Sequence, residues 1–184
     1  MNFNNHYRLE GLHAFLGASK YHWINYDDDK FIDTYNKQMT VQRGVELHAL
    51  AKQCIDLSIK LPKTSKTLNM YVNDAIGFKM ETEQVLYYSD NCFGTCDSIC
   101  FRKNILRIHD LKNGVSPASV KQLEIYTALF CLEYDVKPIE IEIELRVYQI
   151  DQIIVHNPNP EDIFNIMEKI IKFDKMINEI KLGG

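Results

Sequence analysis

At 184 residues, 46% hydrophobic and 25% charged, the chain has the composition of an ordinary globular domain and the length to enclose a core, so one folded unit over residues 1–184 is expected. No apolar run approaches the roughly 18 residues of a membrane span, so no membrane partner is expected. A formal net charge of −4 excludes attachment to nucleic acid through bulk charge, although a small site inside an acidic protein can still attract phosphate.

The polar start MNFNNHYRLE lacks the basic-then-apolar order of a secretory signal, and the expected compartment is the cytoplasm, in a bacterial host cell for this Lys-, Asn- and Ile-rich composition. A short helical start is expected at Ser19, an acidic turn at Asp27 to Asp29, and a helical piece reaching Gly44. Apolar residues then recur with helical period from Val45 to Ile59, which predicts a separate helix of about four turns. Lys60, Lys63 and Lys66 mark its exit, as a solvated loop or a phosphate-facing patch, and Leu68 to Phe78 predicts a shorter helix.

Beyond this the period changes to two. Gln84–Tyr88, Thr95–Arg102 and Ile105–Leu111 are rich in β-branched and aromatic residues and predict three antiparallel strands, the last two joined through Lys103-Asn104. An Asn113-Gly114 turn follows, then a helix with Ser116 as N-cap and Pro117 at its first position. IEIELRVYQIDQIIVHNP predicts a strand and hairpin, and Glu161 to Leu182 a long closing helix. The sum is an α/β (α+β) fold, a central mixed sheet flanked by helices. Cys92, Cys96 and Cys100, four apart on strands, would keep one side-chain parity. Free thiols are expected from them, since no fourth ligand completes a metal site.

Along Ile105–Lys112 the side chains alternate, so Leu106, Ile108, Asp110 and Lys112 share a face that starts apolar and ends charged. Pairing through the Lys103-Asn104 turn places Asp97 opposite Asp110. Two carboxylates so placed repel unless a cation lies between them. A hard divalent ion meets that need; two surface acids, one paired with Lys112, are the alternative.

Several stretches then resemble one family. GTCD with the strand ending IHDLK resembles the core of the PD-(D/E)XK nuclease superfamily, with Asp97 and Asp110 as the acids and Lys112 as the lysine. QLEIY, with Gln122 and Tyr126, resembles the Q-x-x-x-Y motif of the RecB-like exonuclease branch; RGVELH, ending at His48, resembles its G-x-x-x-H helix; SKYHWINY resembles its N-terminal Ser/Trp element. The resemblance runs from about Ser19 to Tyr148. It implies a restriction-endonuclease-like core and one or two Mg²⁺ or Mn²⁺ ions held by His48, Asp97, Asp110 and the Leu111 carbonyl, with Lys112, Gln122 and Tyr126 completing the catalytic set. It further implies a phage-type exonuclease acting on single- or double-stranded DNA in recombination, replication or repair. A homo-oligomer or a recombination partner stays open, as does a non-cleaving DNA- or protein-binding accessory protein on the same fold. No cysteine follows Cys131, so no iron–sulfur cluster is expected.

Overall fold

The computed structural model describes residues 7–9, 11–115 and 117–183. These fall into two compact units, one ending at Arg43 and the other starting at Gly44. Helix α1, Asp28–Asp56, runs through the boundary.

In the first unit, 3₁₀ turns span Tyr7–Leu9 and Ala18–Asn25. The Trp23 indole donates to the Gly17 carbonyl at 3.1 Å, and the Phe15 ring meets Phe31 and Tyr35 edge-on. The acidic stretch is a helix start: Asp27 Oδ1 accepts the Lys30 N–H at 2.8 Å, and Asp28 and Asp29 occupy the first turn, where carboxylates favour the helix dipole.

The second unit holds a five-stranded sheet in chain order: β1 Glu81–Ser89, β2 Cys92–Arg102, β3 Ile105–Leu111, β4 Glu142–Gln149 and β5 Gln152–His156. Every neighbouring pair is antiparallel except β3 and β4. Those two are parallel because the chain crosses back between them through α3, Lys121–Glu133. Lys103 and Asn104, both with positive φ, close the β2–β3 hairpin at the expected turn.

Helices cover both faces. On one, the end of α1 and α2, Thr67–Phe78, bury Ala51, Cys54, Tyr71, Val72 and Ala75 against Cys100, Leu111 and Tyr148. On the other, α3 and α4, Pro160–Gly183, bury Leu123, Ala128, Leu129 and Ile163 against Leu86, Leu106, Ile108 and Leu145. β3 therefore divides its side chains as its alternation predicts.

Besides the acidic stretch, the structure departs from three further expectations. Gly44 does not end a helix: α1 passes through it, and a Cβ there would lie 2.8 Å from Asn113 Nδ2. The glycine admits a close neighbour, at a cost of about 1 kcal/mol in helix propensity relative to alanine. Pro117 is not helical, since α3 begins at Lys121; the Gln149 side chain satisfies the Ala118 N–H and the Gly114 carbonyl and holds that segment outside the helix. The proposed cap Ser116 lies outside the described residues. Finally, the three cysteines do not share a face: Cys92 and Cys96 pack on the α3 side, Cys100 on the α1–α2 side. All five cysteines are free, four of them buried.

Candidate functional site

The site lies where β2 and β3 part. Their ladder stops at Ser98↔His109, which leaves Asp97 across from Asp110 at the next rung. In place of that rung, Asp97 Oδ2 accepts the Leu111 N–H at 2.8 Å. The following N–H, that of Lys112, bonds to Tyr148 of β4 at 2.9 Å. The tip of β3 is thus held from both sides while the acids converge.

Each acid has a basic neighbour, His48 of α1 for Asp97 and Lys112, just beyond β3, for Asp110. His48 of α1 brings Nδ1 to 3.3 Å from Asp97 Oδ1. That hydrogen bond raises the His48 imidazole above its ordinary value against the effect of burial, and the charges of Asp97 and Asp110 and the backbone of Leu111 add to the rise. Asp110, only 3% exposed, takes a 3.0 Å hydrogen bond from Lys112 Nζ on Oδ1. Its Oδ2 is also 3.0 Å from the ammonium, yet receives no hydrogen bond and is buried. Burial, then the nearby charge of Asp97, raise the Asp110 carboxyl above the usual carboxylate range, with Lys112 opposing.

A relay fixes the ammonium. Lys112 Nζ donates to Gln122 Oε1 at 3.1 Å, Gln122 Nε2 to the Tyr126 hydroxyl at 3.0 Å, and that hydroxyl to the Thr95 carbonyl at 2.7 Å. Gln122 and Tyr126 stand four apart on one face of α3, as their spacing predicts. The structure therefore brings together His48, Asp97, Asp110, Leu111, Lys112, Gln122 and Tyr126, the residues of the expected metal and catalytic set.

Other contributors stand outside the motifs' chemical residues. A Cβ on Gly94 would lie 2.9 Å from Tyr126 Cε1, so its absence lets the ring settle on β2. Tyr71 of α2 lies buried beneath the site, its hydroxyl pushed up by burial and next by the charge of Asp97. Glu83 and Lys52 border the same small depression as His48 and Asp97. A glycine inside GTCD could have been suspected of a close approach; the others become visible only in three dimensions.

Two carboxylates and a backbone carbonyl are oxygen donors that suit Mg²⁺ or Mn²⁺, whereas the imidazole is a softer nitrogen donor that suits Mn²⁺ better than Mg²⁺, and Asp110 Oδ2, which takes no hydrogen bond, is a position such a cation would fill. By type and by that orphaned atom the residues fit the ion. Among the described residues, however, no three His, Cys, Asp or Glu side chains already form a metal-holding group. His48 and Asp97 engage each other instead.

No family model matches the chain, and no curated protein matches it. Among solved structures it is similar to one described as the crystal structure of SSO0001, at 13% identity and a TM-score of 0.33, over 58% of this chain. The chain spans 57% of that protein's length. The fold is mixed α/β, a five-stranded mixed sheet flanked by helices, and no helix among the described residues is long and apolar enough to cross a membrane.

Proposed function

We propose that the chain is a Mg²⁺- or Mn²⁺-dependent deoxyribonuclease with a restriction-endonuclease-like core, hydrolysing phosphodiester bonds where β2 and the tip of β3 part. The observation that carries this reading is the buried Asp110 carboxylate, both of whose oxygens lie 3.0 Å from Lys112 Nζ while only Oδ1 takes a hydrogen bond, within reach of the charges of Asp97 and His48. His48, Asp97, Asp110 and the Leu111 carbonyl would hold the ion. Bound there, it would supply an acidified water and neutralise charge on the phosphate.

The side chains do the rest. Lys112 has three N–H donors, two of them committed to Asp110 and Gln122, which leaves one for a phosphate oxygen or the attacking water. Gln122 and Tyr126 act as positioning residues: they restrict a flexible lysine to one direction, so little reorganisation is needed as charge develops. Action as an exonuclease, on single- or double-stranded DNA in phage or bacterial recombination, replication or repair, is part of the proposal and rests on the motif resemblance alone. So does a setting in the bacterial cytoplasm.

A second reading, a nuclease-fold protein that holds DNA or a partner without cutting, draws on the engaged His48–Asp97 pair and the lack of a preformed ligand group. One assay separates the two: purified protein with Mg²⁺ or Mn²⁺ on linear, circular, single- and double-stranded DNA. Cleavage by the wild type and none by Asp110→Ala, folded by circular dichroism, supports the nuclease. Undiminished cleavage by that variant sinks the site assignment, and binding without cleavage by the wild type supports the accessory reading.

A further inference from the structure

The paired strands β1 and β2 turn their faces over at one rung. Their register is regular, with Glu81↔Ile99, Thr82↔Ser98, Gln84↔Cys96 and Leu86↔Gly94, yet the rung Glu83–Asp97 is missing from it. Alternation would keep Gly94, Cys96, Ser98 and Cys100 on one face. Instead Gly94 meets Tyr126 of α3 and Cys96 lies in the core on the α3 side, whereas Ser98 contacts Met80 and Cys100 packs on the α1–α2 side.

β1 switches in step. Leu86 lies in the core under α3, but Thr82, of the same parity, bonds Asp56 and Lys52 of α1. Between the two halves stands Glu83, with φ of 49°, a left-handed conformation that a glutamate rarely adopts within a strand. Its side chain is half exposed, and Lys52 Nζ lies 3.9 Å from it. Asp97 is absent from the positive-φ residues, so the left-handed turn of the rung belongs to Glu83.

We propose that Glu83 is a positioning residue for Asp97, acting through its backbone: the left-handed turn at Glu83 rotates the facing rung so that the Asp97 carboxylate reaches His48 and the Leu111 N–H. The geometry is independent of any activity; its consequence for metal uptake rests on the nuclease reading above. Sparsely populated backbone held next to reactive groups is a recurrent feature of functional sites, where a local kink re-aims one side chain. No carboxylate chemistry is assigned to Glu83. Glycine or asparagine, which tolerate positive φ, should therefore replace it, and a β-branched residue should not.

Amide hydrogen exchange tests this without metal. The Leu111 N–H bonds to Asp97, whereas the Lys112 N–H one residue later bonds to Tyr148, so the second serves as an internal control. In Glu83→Val, exchange at Leu111 should rise by about tenfold or more with Lys112 unchanged, while Glu83→Gly and Glu83→Asn should stay within about twofold of wild type at both. Mn²⁺ affinity, measured alongside, should fall only in the valine variant. Unchanged Leu111 exchange in Glu83→Val overturns the proposal. Equal loss in Glu83→Gly does too, because it assigns the effect to the carboxylate. Equal acceleration at Leu111 and Lys112 in the valine variant also counts against it, as a general loosening. A wild type that takes up no Mn²⁺ but shows the predicted exchange pattern keeps this inference and removes the nuclease reading.

Discussion

Tyr126 occupies space that a methyl group on Gly94 would invade. With a Cβ only 2.9 Å from the ring carbon, Gly94→Ala must displace either β2 or the ring. The Tyr126–Thr95 hydrogen bond, and through Gln122 the aim of Lys112, move with it. Gly94→Ala is expected to lower kcat about tenfold or more with a folded protein, since misplacing a reactive group by about 1 Å costs rate steeply; a kcat equal to wild type would show that the relay does not matter. His109 makes a second test at this scale. It is fully buried, with Nδ1 3.3 Å from the Tyr148 hydroxyl and Nε2 without a partner, and it faces Arg107, Arg146 and the Phe78 ring. Burial first, then the two arginines, lower its imidazole to about 3. The unfolded chain therefore takes up a proton as pH falls through the ordinary histidine range while the folded chain does not, and stability is lost on acidification. Between pH 7 and 5 the wild type should lose about 2 kcal/mol more than His109→Phe in urea titrations; parallel losses would refute it. Strand alternation and the Lys103-Asn104 turn point to the grouping of Asp97, Asp110 and Lys112, whereas His48, Gln122 and Tyr126 are marked only by resemblance to a family's motifs. Gly94 acts through empty space, which a glycine in a strand can hint at, whereas Glu83 acts through a backbone angle that its residue type does not announce.

Among the elements, β3 is the clearest in the sequence. Its apolar half, Leu106 and Ile108, lies fully buried between the sheet and α3, and the same face ends in Asp110 and Lys112. Leu106→Ala should cost about 2–5 kcal/mol of unfolding free energy, measurable by denaturant titration; a cost under about 1 kcal/mol would place this face outside the core. The Lys103-Asn104 turn likewise fixed the register that sets Asp97 across from Asp110. Alternation failed as a guide in β2, where parity alone would put Cys96 and Cys100 together, because the turn at Glu83 reverses both strands. Helical signals failed for a similar reason. Gly44 and Pro117 are strong local punctuation, but the first is overridden by the packing of Asn113 and the second sits in a segment held by Gln149. At Gly44 the helix continues despite a propensity cost of about 1 kcal/mol relative to alanine.

For the whole molecule, the order of helices and strands predicts a mixed sheet flanked by helices, and the one parallel contact follows from the crossover through α3. The strand order and the division of the core into two layers came from packing that no local pattern specifies. This topology lets α1, β2, β3 and α3 each deliver one part of the site: imidazole, first acid, second acid with lysine, and the Gln–Tyr pair. Together these parts are proposed to form one divalent-cation site. Titration of the purified protein with Mn²⁺, followed by electron paramagnetic resonance of the free ion, tests it most directly. The wild type is predicted to remove at least one equivalent of Mn²⁺ from solution, and Asp110→Asn to remove none while remaining folded. A wild type that leaves the free Mn²⁺ signal undiminished, or an Asp110→Asn variant that depletes it equally, would contradict the account.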